Sequence, residues 1–261
     1  MGFDAVELIK PWKVNADVVH IDVVPNTDQI YFADSEIIGS IDVICSELRQ
    51  RTQQRSFEQK SRVSTHKNAL RASFDSGRTP NRLNPSDVIR VADQTVSKGA
   101  VVTTDVGSHK LLVGQGWCCR GPRRVLMTNG LSSMGFSLPA AMSAKLLNPD
   151  SEVICFTGDG GLAMVQSELQ VAASLGLGIR VVVFIDRSLN RIELKQMARQ
   201  YPSTGTLIDN TDVIHLAKAM NCDGFHVETE NELGDALSVA VTDRPQLIGV
   251  AIDPSQYQAQ F

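Results

Sequence analysis

Two acidic residues in the second half of the chain each follow a short run of β-branched and aromatic residues. Asp159 lies in a glycine-rich turn after the run at 153–156, and Asp186 closes the run at 180–185. The segment between them, 164–175, carries apolar residues at helical spacing. This order predicts a βαβ unit with both carboxylates at the carboxyl ends of adjacent parallel strands. Open α/β sheets bind ligands at that edge.

Further strand patterns alternate with helical ones along the chain. This alternation predicts a doubly wound α/β fold, in which helices cover both faces of a mostly parallel sheet. A helix that starts at Asn84-Pro85-Ser86-Asp87 opens the domain, because Pro suits the first helical turn and small polar residues cap it. The predicted strands lie at 100–104, 152–156, 180–185, 224–227 and 246–252.

The chain before this domain is predicted to be a partial α/β domain and a linker. One strand at 16–25 ends in proline, and one helix starts near Ser40. One strand and one helix cannot bury a core of their own. We therefore interpret residues 1–48 as the end of a domain whose beginning is missing, residues 49–84 as a linker and residues 85–261 as the main domain.

The charge and cysteine content of the chain narrow its partners and its location. A net charge of -4 gives no electrostatic case for nucleic acid or an anionic membrane surface as a partner. Five cysteines without C-x-x-C spacing favour reduced, structural thiols. No apolar run in the sequence approaches the roughly 18 residues of a spanning helix, and the opening residues lack a leader pattern. A cytoplasmic location is therefore expected.

The residues around Asp159 and Asp186 suit a divalent cation that is bound to phosphate oxygens. Mg²⁺ is usually held by one or two carboxylates together with substrate phosphates. A backbone carbonyl near Ser188 is expected to add an oxygen, since a turn must follow the strand. The glycines that let the backbone turn and approach a phosphate are Gly158, Gly160 and Gly161.

Two other interpretations of this motif stay open. Both aspartates are also acceptable helix caps after strands. In addition, Gly158-x-Gly160-x-x-Ala163 fits the glycine pattern of dinucleotide-binding folds, with Asp186 in the place of a ribose-binding acid. Against a dinucleotide, this acid comes later than the usual spacing of about 20 residues. An Asp within the glycine turn would also face the pyrophosphate unless a cation intervened.

Two earlier segments favour the diphosphate hypothesis. Residues 103–110 end the first strand of the domain with a glycine, a hydroxyl and the imidazole of His109, which can all donate to phosphate oxygens. Residues 129–136 form a Gly- and Ser-rich loop that contains Met134. Taken alone, His109 is more often a capping or core residue and Met134 is more often core filler. The other histidines are scattered without ligand spacing, so no zinc site is predicted.

Together these motifs resemble those of the thiamine-diphosphate enzymes of the acetolactate synthase and 2-oxo-acid decarboxylase group. The resemblance covers residues 85–261 as the diphosphate-binding domain and residues 1 to about 48 as the end of the family's central domain. Three motifs in order make the match specific. They are the segments 105–109, 130–141, and 158–161 followed by 186–190.

The resemblance implies thiamine diphosphate and Mg²⁺ as cofactors and a 2-oxo acid as substrate. Asp159, Asp186 and the carbonyl of Ser188 would ligate the metal. Met134 would bend thiamine so that its aminopyrimidine reaches the thiazolium carbon. Asp186 departs from the family pattern, in which Asn is common at this position. The residues that the resemblance implies in cofactor binding are Gly107, Ser108, His109, Ser132, Met134, Gly158, Gly160, Gly161, Leu189 and Asn190.

The resemblance also implies what this chain lacks. In the family, an amino-terminal pyrimidine-binding domain supplies the glutamate that protonates the aminopyrimidine ring, and the cofactor lies between two chains. No part of the 261 residues resembles that domain, so no catalytic residue is assigned here. We expect a chain that is inactive alone and acts as a homo-oligomer or with a partner chain. The alternatives are a non-catalytic binding or interaction module of the same fold and, less favoured, an NAD-type oxidoreductase domain.

Overall fold

The computed structural model describes residues 15–27, 31–52 and 60–260 of the chain. Two compact units divide it, residues 1–65 and residues 66–261. The segment boundaries expected from the sequence do not coincide with this division, so the domain organisation stays a prediction.

The first unit contains two parallel strands, β1 (Val19–Asp22) and β2 (Ser35–Ile38), and the helix α1 (Ile41–Arg51). The helix near Ser40 is confirmed, but the prediction of a single strand is wrong. All residues of β2 are exposed, so no alternation of polar and apolar residues marked this strand in the sequence. Among the described residues of this unit, only His20 is buried.

The second unit is built on a parallel sheet of six strands. They are β3 (Val101–Thr104), β4 (Val125–Met127), β5 (Val153–Gly158), β6 (Arg180–Ile185), β7 (Asp223–Val227) and β8 (Gln246–Ala251). The strand order is β4-β3-β5-β6-β8-β7, and every neighbouring pair is parallel. The predicted doubly wound α/β fold is therefore confirmed. The sequence did not predict β4, which has three residues that are each only partly buried.

Helices cover both faces of this sheet. The helices are α2 (Lys60–Phe74), which spans the division between the units, α3 (Pro85–Thr95), α4 (Ser108–Gly116), α5 (Ser137–Leu147), α6 (Asp159–Val165), α7 (Glu168–Ser174), α8 (Asn190–Ala198), α9 (Val213–Ala219), α10 (Glu230–Ser238) and α11 (Tyr257–Gln260), with a 3₁₀ turn at Pro254–Gln256. On one face, α3, α4 and α10 pack against strand residues such as Ile154 and Phe156. On the other face, α5, α6, α7 and α9 pack against the alternate strand residues, such as Val153 and Cys155.

Two helix predictions have different outcomes. The helix opened by Asn84 is confirmed as α3, where the backbone N–H of Asn84 donates to Asp87 Oδ2 at 3.0 Å. The helical pattern at 164–175 is confirmed for Glu168–Ser174, which form α7, but turn residues at 166–167 separate α7 from α6 (Asp159–Val165). The chain enters α6 at Asp159, directly from β5, and the glycines that follow carry no apolar side chain to mark that helical turn. Among the described helices, none has both the length and the apolar content to cross a membrane.

The connections across the sheet leave a crevice between β3 and β5. From β3 the chain moves outward to β4 and then returns to β5 on the other side. Such a topological switch point opens a ligand crevice at the carboxyl ends of the strands. Asp105 follows β3 and Asp159 follows β5, so acidic residues stand on both sides of the crevice.

Candidate functional site

A cavity lies at the carboxyl ends of β3, β5 and β6. All the predicted site residues except Ser132 line it, although they come from four separate segments of the chain. The predicted residues on its wall are Gly107, Ser108, His109, Met134, Gly158, Asp159, Gly160, Gly161, Asp186, Ser188, Leu189 and Asn190. The structure thus brings the three sequence motifs to one place, while the role of each residue stays a prediction.

Ser132 is the residue that the structure places elsewhere. Its backbone is in the left-handed region at φ 51°, as are the glycines on either side of it, at 130 and 135. Its hydroxyl lies 3.4 Å from Lys110 Nζ. Ser132 therefore contacts α4, whereas Met134 lies on the cavity wall.

The two aspartates are held by backbone amides at the ends of β5 and β6. Asp159 Oδ1 accepts from Gly160 N at 2.8 Å, and Asp159 Oδ2 accepts from Arg187 N at 2.8 Å. Asp186 Oδ1 accepts from Ser188 N at 3.1 Å. Arg187 adopts φ 61°, a conformation that costs free energy for a residue with a side chain and that clusters at functional sites. The Gly160 amide therefore donates to Asp159 in this structure, and its contact with a phosphate stays a prediction.

The electrostatics of this pair suit a cation. Burial, and next the negative charge of Asp159, raise the pKa of Asp186 to about 7. Burial also raises the pKa of Asp159, although backbone hydrogen bonds oppose that effect. Two partly buried carboxylates that repel each other gain from a shared positive ion. In the described part of the chain, no group of three or more His, Cys, Asp and Glu side chains forms a metal site. Two carboxylates fit Mg²⁺, which proteins usually hold with one or two carboxylates together with phosphate oxygens.

The opposite wall of the cavity comes from the amino end of α4. The Ser108 hydroxyl donates to Asn190 Oδ1 at 2.8 Å, so the first turns of α4 and α8 are joined across the cavity. The His109 ring stacks on Phe184 with ring centroids 5.6 Å apart. A side chain at Gly107 would approach His109 Cε1 to 2.5 Å, so glycine is required beside this ring.

Sequence reasoning missed several residues of the site. Tyr257 is fully buried on the cavity wall, and burial raises its pKa well above the usual value, with the charges of Asp186 and Asp159 adding to the effect. It comes from the last helix of the chain, and no local pattern links that helix to the motifs. Asp105 was visible in the first motif but received no role. It is completely buried beneath the cavity.

The segment after β6 folds back on itself beside the cavity. The Ser188 hydroxyl donates to Glu193 Oε2 at 2.5 Å, and the Ser203 hydroxyl donates to Glu193 Oε1 at 3.0 Å. Leu189 N donates to the carbonyl of Thr206 at 2.6 Å. Glu193 therefore joins the expected metal-binding turn to the loop at 203–206, a role that the sequence did not indicate.

A parallel doubly wound sheet with paired carboxylates and glycine turns at its switch point defines an α/β domain that binds a phosphate-containing cofactor. The sequence profile described as "Thiamine pyrophosphate enzyme, C-terminal TPP binding domain" matches residues 105–250. The chain belongs to this family. The family prediction made from the three motifs is confirmed, and so is thiamine diphosphate as the predicted cofactor.

Curated relatives extend the similarity over nearly the whole chain. The chain is 29% identical over 271 residues to "Probable acetolactate synthase large subunit" of Methanococcus aeolicus, which covers 95% of this chain and 45% of that protein. It is 29% identical over 262 residues to "Acetolactate synthase large subunit" of Lactococcus lactis, with 98% and 45% covered. It is 26% identical over 269 residues to "Acetolactate synthase" of Bacillus subtilis, with 98% and 46% covered. The chain thus spans about half the length of the curated relatives it matches.

Proposed function

We propose that this chain forms the thiamine-diphosphate- and Mg²⁺-binding part of an enzyme that acts on 2-oxo acids in the manner of an acetolactate synthase. The observation that carries the proposal is the convergence of Asp159, Asp186 and Met134 on one cavity inside the matched family domain. The names of the relatives support the substrate class.

The residues present fit this cofactor pair. Asp159, Asp186 and the Ser188 carbonyl would hold Mg²⁺, because two repelling carboxylates gain from a cation and leave room for diphosphate oxygens. Ser108 would donate to the diphosphate from the other wall, and the His109 ring would stand beside it on that wall. When bound, thiamine diphosphate supplies an electron sink for the decarboxylation of a 2-oxo acid. The residues of this chain anchor and orient it, and none of them is assigned as catalytic.

Exposed apolar side chains on segments that line the cavity support assembly with a pyrimidine-binding domain, from a second copy or from a partner chain. Leu131 is fully exposed, Leu207 is 83% exposed and Ile192 is 49% exposed. Leu131 belongs to the loop of Met134, and Leu207 and Ile192 belong to the segment after β6. Large exposed apolar side chains favour an interaction surface. We expect turnover of a 2-oxo acid only when that surface is covered.

Calorimetric titration with thiamine diphosphate and Mg²⁺ tests the binding part of this proposal. Asp159→Ala removes one ligand of the cation, so the affinity is expected to fall at least about 100-fold. Asp235→Ala, an exposed position on α10, is the matched control and is expected to bind as the wild type does. Equal heats from the Asp159→Ala variant and the wild type would sink the proposal.

Two further measurements separate the alternatives. A non-catalytic module predicts no pyruvate consumption even when the pyrimidine-binding domain of a relative is added, whereas the proposal predicts turnover in that mixture. Turnover by the purified chain alone contradicts both. An NAD-type domain predicts binding of a nicotinamide dinucleotide without metal, which a metal-free titration detects.

A further inference from the structure

One buried carboxylate contacts three of the segments that build the cavity. Asp105 has no exposed surface. Its Oδ1 lies 2.8 Å from His109 Nε2, and its Oδ2 accepts from the backbone N–H of Gly135 at 2.6 Å. The Thr157 hydroxyl, at the end of β5, lies 3.4 Å from the same Oδ2. Asp105 therefore joins β3, the loop at 129–136 and β5.

The glycine turn after β5 also packs on this carboxylate. A side chain at Gly161 would come within 2.5 Å of Asp105 Oδ2 and within 2.8 Å of Thr157 Oγ1. Real Cβ atoms do not approach other atoms so closely, so Gly161 is required where Asp105 stands. The requirement for this glycine is thus explained by Asp105, in addition to any contact with a phosphate.

The hydrogen bond to Asp105 fixes the tautomer of His109. A carboxylate has no proton to donate, so the hydrogen bond requires the proton to be on His109 Nε2. The opposite edge of the ring then lies against two glycines of the cavity wall. Side chains at Gly107 and Gly158 would be 2.6 Å and 3.5 Å from His109 Nδ1. The ring therefore presents its Nδ1 edge to the backbone that lines the cavity.

The second oxygen fixes the loop that carries Met134. Gly135 follows Met134, adopts φ 79° and is buried. The hydrogen bond from the Gly135 N–H to Asp105 is short and lies inside the core. Losing its acceptor would leave a buried donor unsatisfied. The position of Met134 on the cavity wall therefore depends on the same carboxylate that orients His109.

We propose that Asp105 is a positioning residue of the cofactor site, which sets the His109 ring with one oxygen and the Met134 loop with the other. The expected effect of Asp105 on the binding of thiamine diphosphate rests on the proposed function. The effect of Asp105 on the tautomer of His109 is measurable without any cofactor.

Asp105→Asn tests the proposal because the shape is kept while one acceptor becomes a donor. An asparagine cannot accept from both Gly135 N–H and His109 Nε2–H. When its oxygen keeps the buried amide of Gly135, its NH₂ group faces His109, and the ring proton must move to Nδ1. The tautomer of His109 is expected to reverse in this variant.

Long-range ¹H–¹⁵N spectra of the histidines at pH 8 report this tautomer directly. The signals of His109 are assigned by their loss in His109→Gln. We expect a proton on Nε2 in the wild-type chain and a proton on Nδ1 in Asp105→Asn. In calorimetry with Mg²⁺, the affinity of Asp105→Asn for thiamine diphosphate is expected to fall at least about tenfold.

Asp87→Asn is the matched control. Asp87 is equally buried and accepts several hydrogen bonds, but it lies at the start of α3 and is not on the cavity wall. This variant is expected to lower the melting temperature and to leave both the His109 spectrum and the cofactor affinity unchanged.

The outcomes are distinct. A wild-type spectrum without a proton on Nε2 overturns the proposal, and so does an Asp105→Asn variant with unchanged cofactor affinity. A wild-type chain that shows the expected tautomer but binds no thiamine diphosphate contradicts the proposed function and leaves the histidine assignment standing. If Asp105→Asn does not fold, the wild-type spectrum and slow hydrogen exchange of the Gly135 amide decide the question, and fast exchange overturns the proposal.

Discussion

Buried charge is arranged differently at the two ends of the strands in the central sheet, which are called here the amino-terminal and the carboxyl-terminal edge. At the amino-terminal edge, the nearly buried Arg180 pairs with Glu152 and donates to the carbonyl of Val239 at 3.0 Å. At the carboxyl-terminal edge, burial raises the pKa of both Asp159 and Asp186, and the charge of Asp159 raises that of Asp186 further. The first edge neutralises its charge within the protein, whereas the second keeps a negative charge that suits a cation. The comparison separates the part of the sheet that stabilises the fold from the part that binds.

Glu152→Ala tests the stabilising edge and has the largest expected effect. Burial already lowers the pKa of Arg180, and the charge of Glu152 opposes that effect. Removing one partner of a buried ion pair leaves an uncompensated charge and costs about 3 kcal/mol. The melting temperature is expected to fall by on the order of 10 °C. Cofactor affinity is expected to stay unchanged, because this edge is remote from the cavity.

The double variant Glu152→Leu with Arg180→Met is the control for that experiment. Replacing both charges by apolar residues leaves no buried ion, so the loss in melting temperature is expected to be smaller than for Glu152→Ala alone. A larger loss in the double variant would show that the pair itself, and not the orphaned charge, stabilises this edge.

Asp186→Asn tests the binding edge, where removal of charge is expected to stabilise the metal-free chain. The pKa of Asp186 is about 7 in the folded chain and has a usual value of 3.8. A raised carboxyl pKa contributes stability below about pH 4, and that stability is lost as the pH rises through about 7. Asparagine does not ionise, so at pH 8 the variant is expected to gain on the order of 2 kcal/mol over the wild type.

The pH dependence is the control for this prediction. Thermal unfolding at pH 8 and pH 5 in the presence of a chelator is expected to show the gain at pH 8 and only roughly a third of it at pH 5. An equal gain at both pH values would mean that packing and not charge is responsible.

Glu193→Ala tests whether the segment after β6 holds the binding edge in shape. Loss of the two hydroxyl contacts of Glu193 is expected to cost about 1 kcal/mol and to speed hydrogen exchange at the Leu189 amide. The affinity for thiamine diphosphate with Mg²⁺ is expected to fall about threefold to tenfold. Lys195→Ala, an exposed position on the same helix, is the control and is expected to change neither quantity.

The smallest expected effect is a difference in thiol reactivity among the cysteines. It tests burial in the interior between the two edges. Burial raises the pKa of the Cys155 thiol to about 12 and that of Cys222 to about 11, above the usual value of 9.0. Iodoacetamide at pH 8 is expected to modify the exposed Cys118 and Cys119 but neither buried thiol, as mass spectrometry reads out. Any stability from the buried thiols is complete below about pH 9 and is lost as the pH rises above it.

The residue pattern within a short segment was sufficient to predict the strands that are buried on both faces. The runs that became β5 and β6 are continuous and apolar, because strands covered on both faces need no polar alternation. The short strand β4 and the exposed strand β2 have no such pattern, since neighbours in space and not in sequence hold them.

The same distinction explains the site. Asp159 and Asp186 follow recognisable strands, so their meeting at one edge was predictable. The contacts of Asp105 depend on the side-chain atom that faces each neighbour, which periodicity does not encode. Tyr257 joins the cavity through the packing of the final helix, at a sequence separation that no motif spans.

The hydrogen bond between Ser108 and Asn190 makes ligand entry an exchange. These side chains already satisfy each other across the cavity, so a phosphate that takes the Ser108 hydroxyl must first break this internal bond. The net gain is then the difference between a charge-assisted hydrogen bond and a neutral one, which is smaller than the full strength of the new bond. Two polar groups of the cavity wall are thus paired with each other, and the heat released on binding understates the number of contacts that the ligand makes.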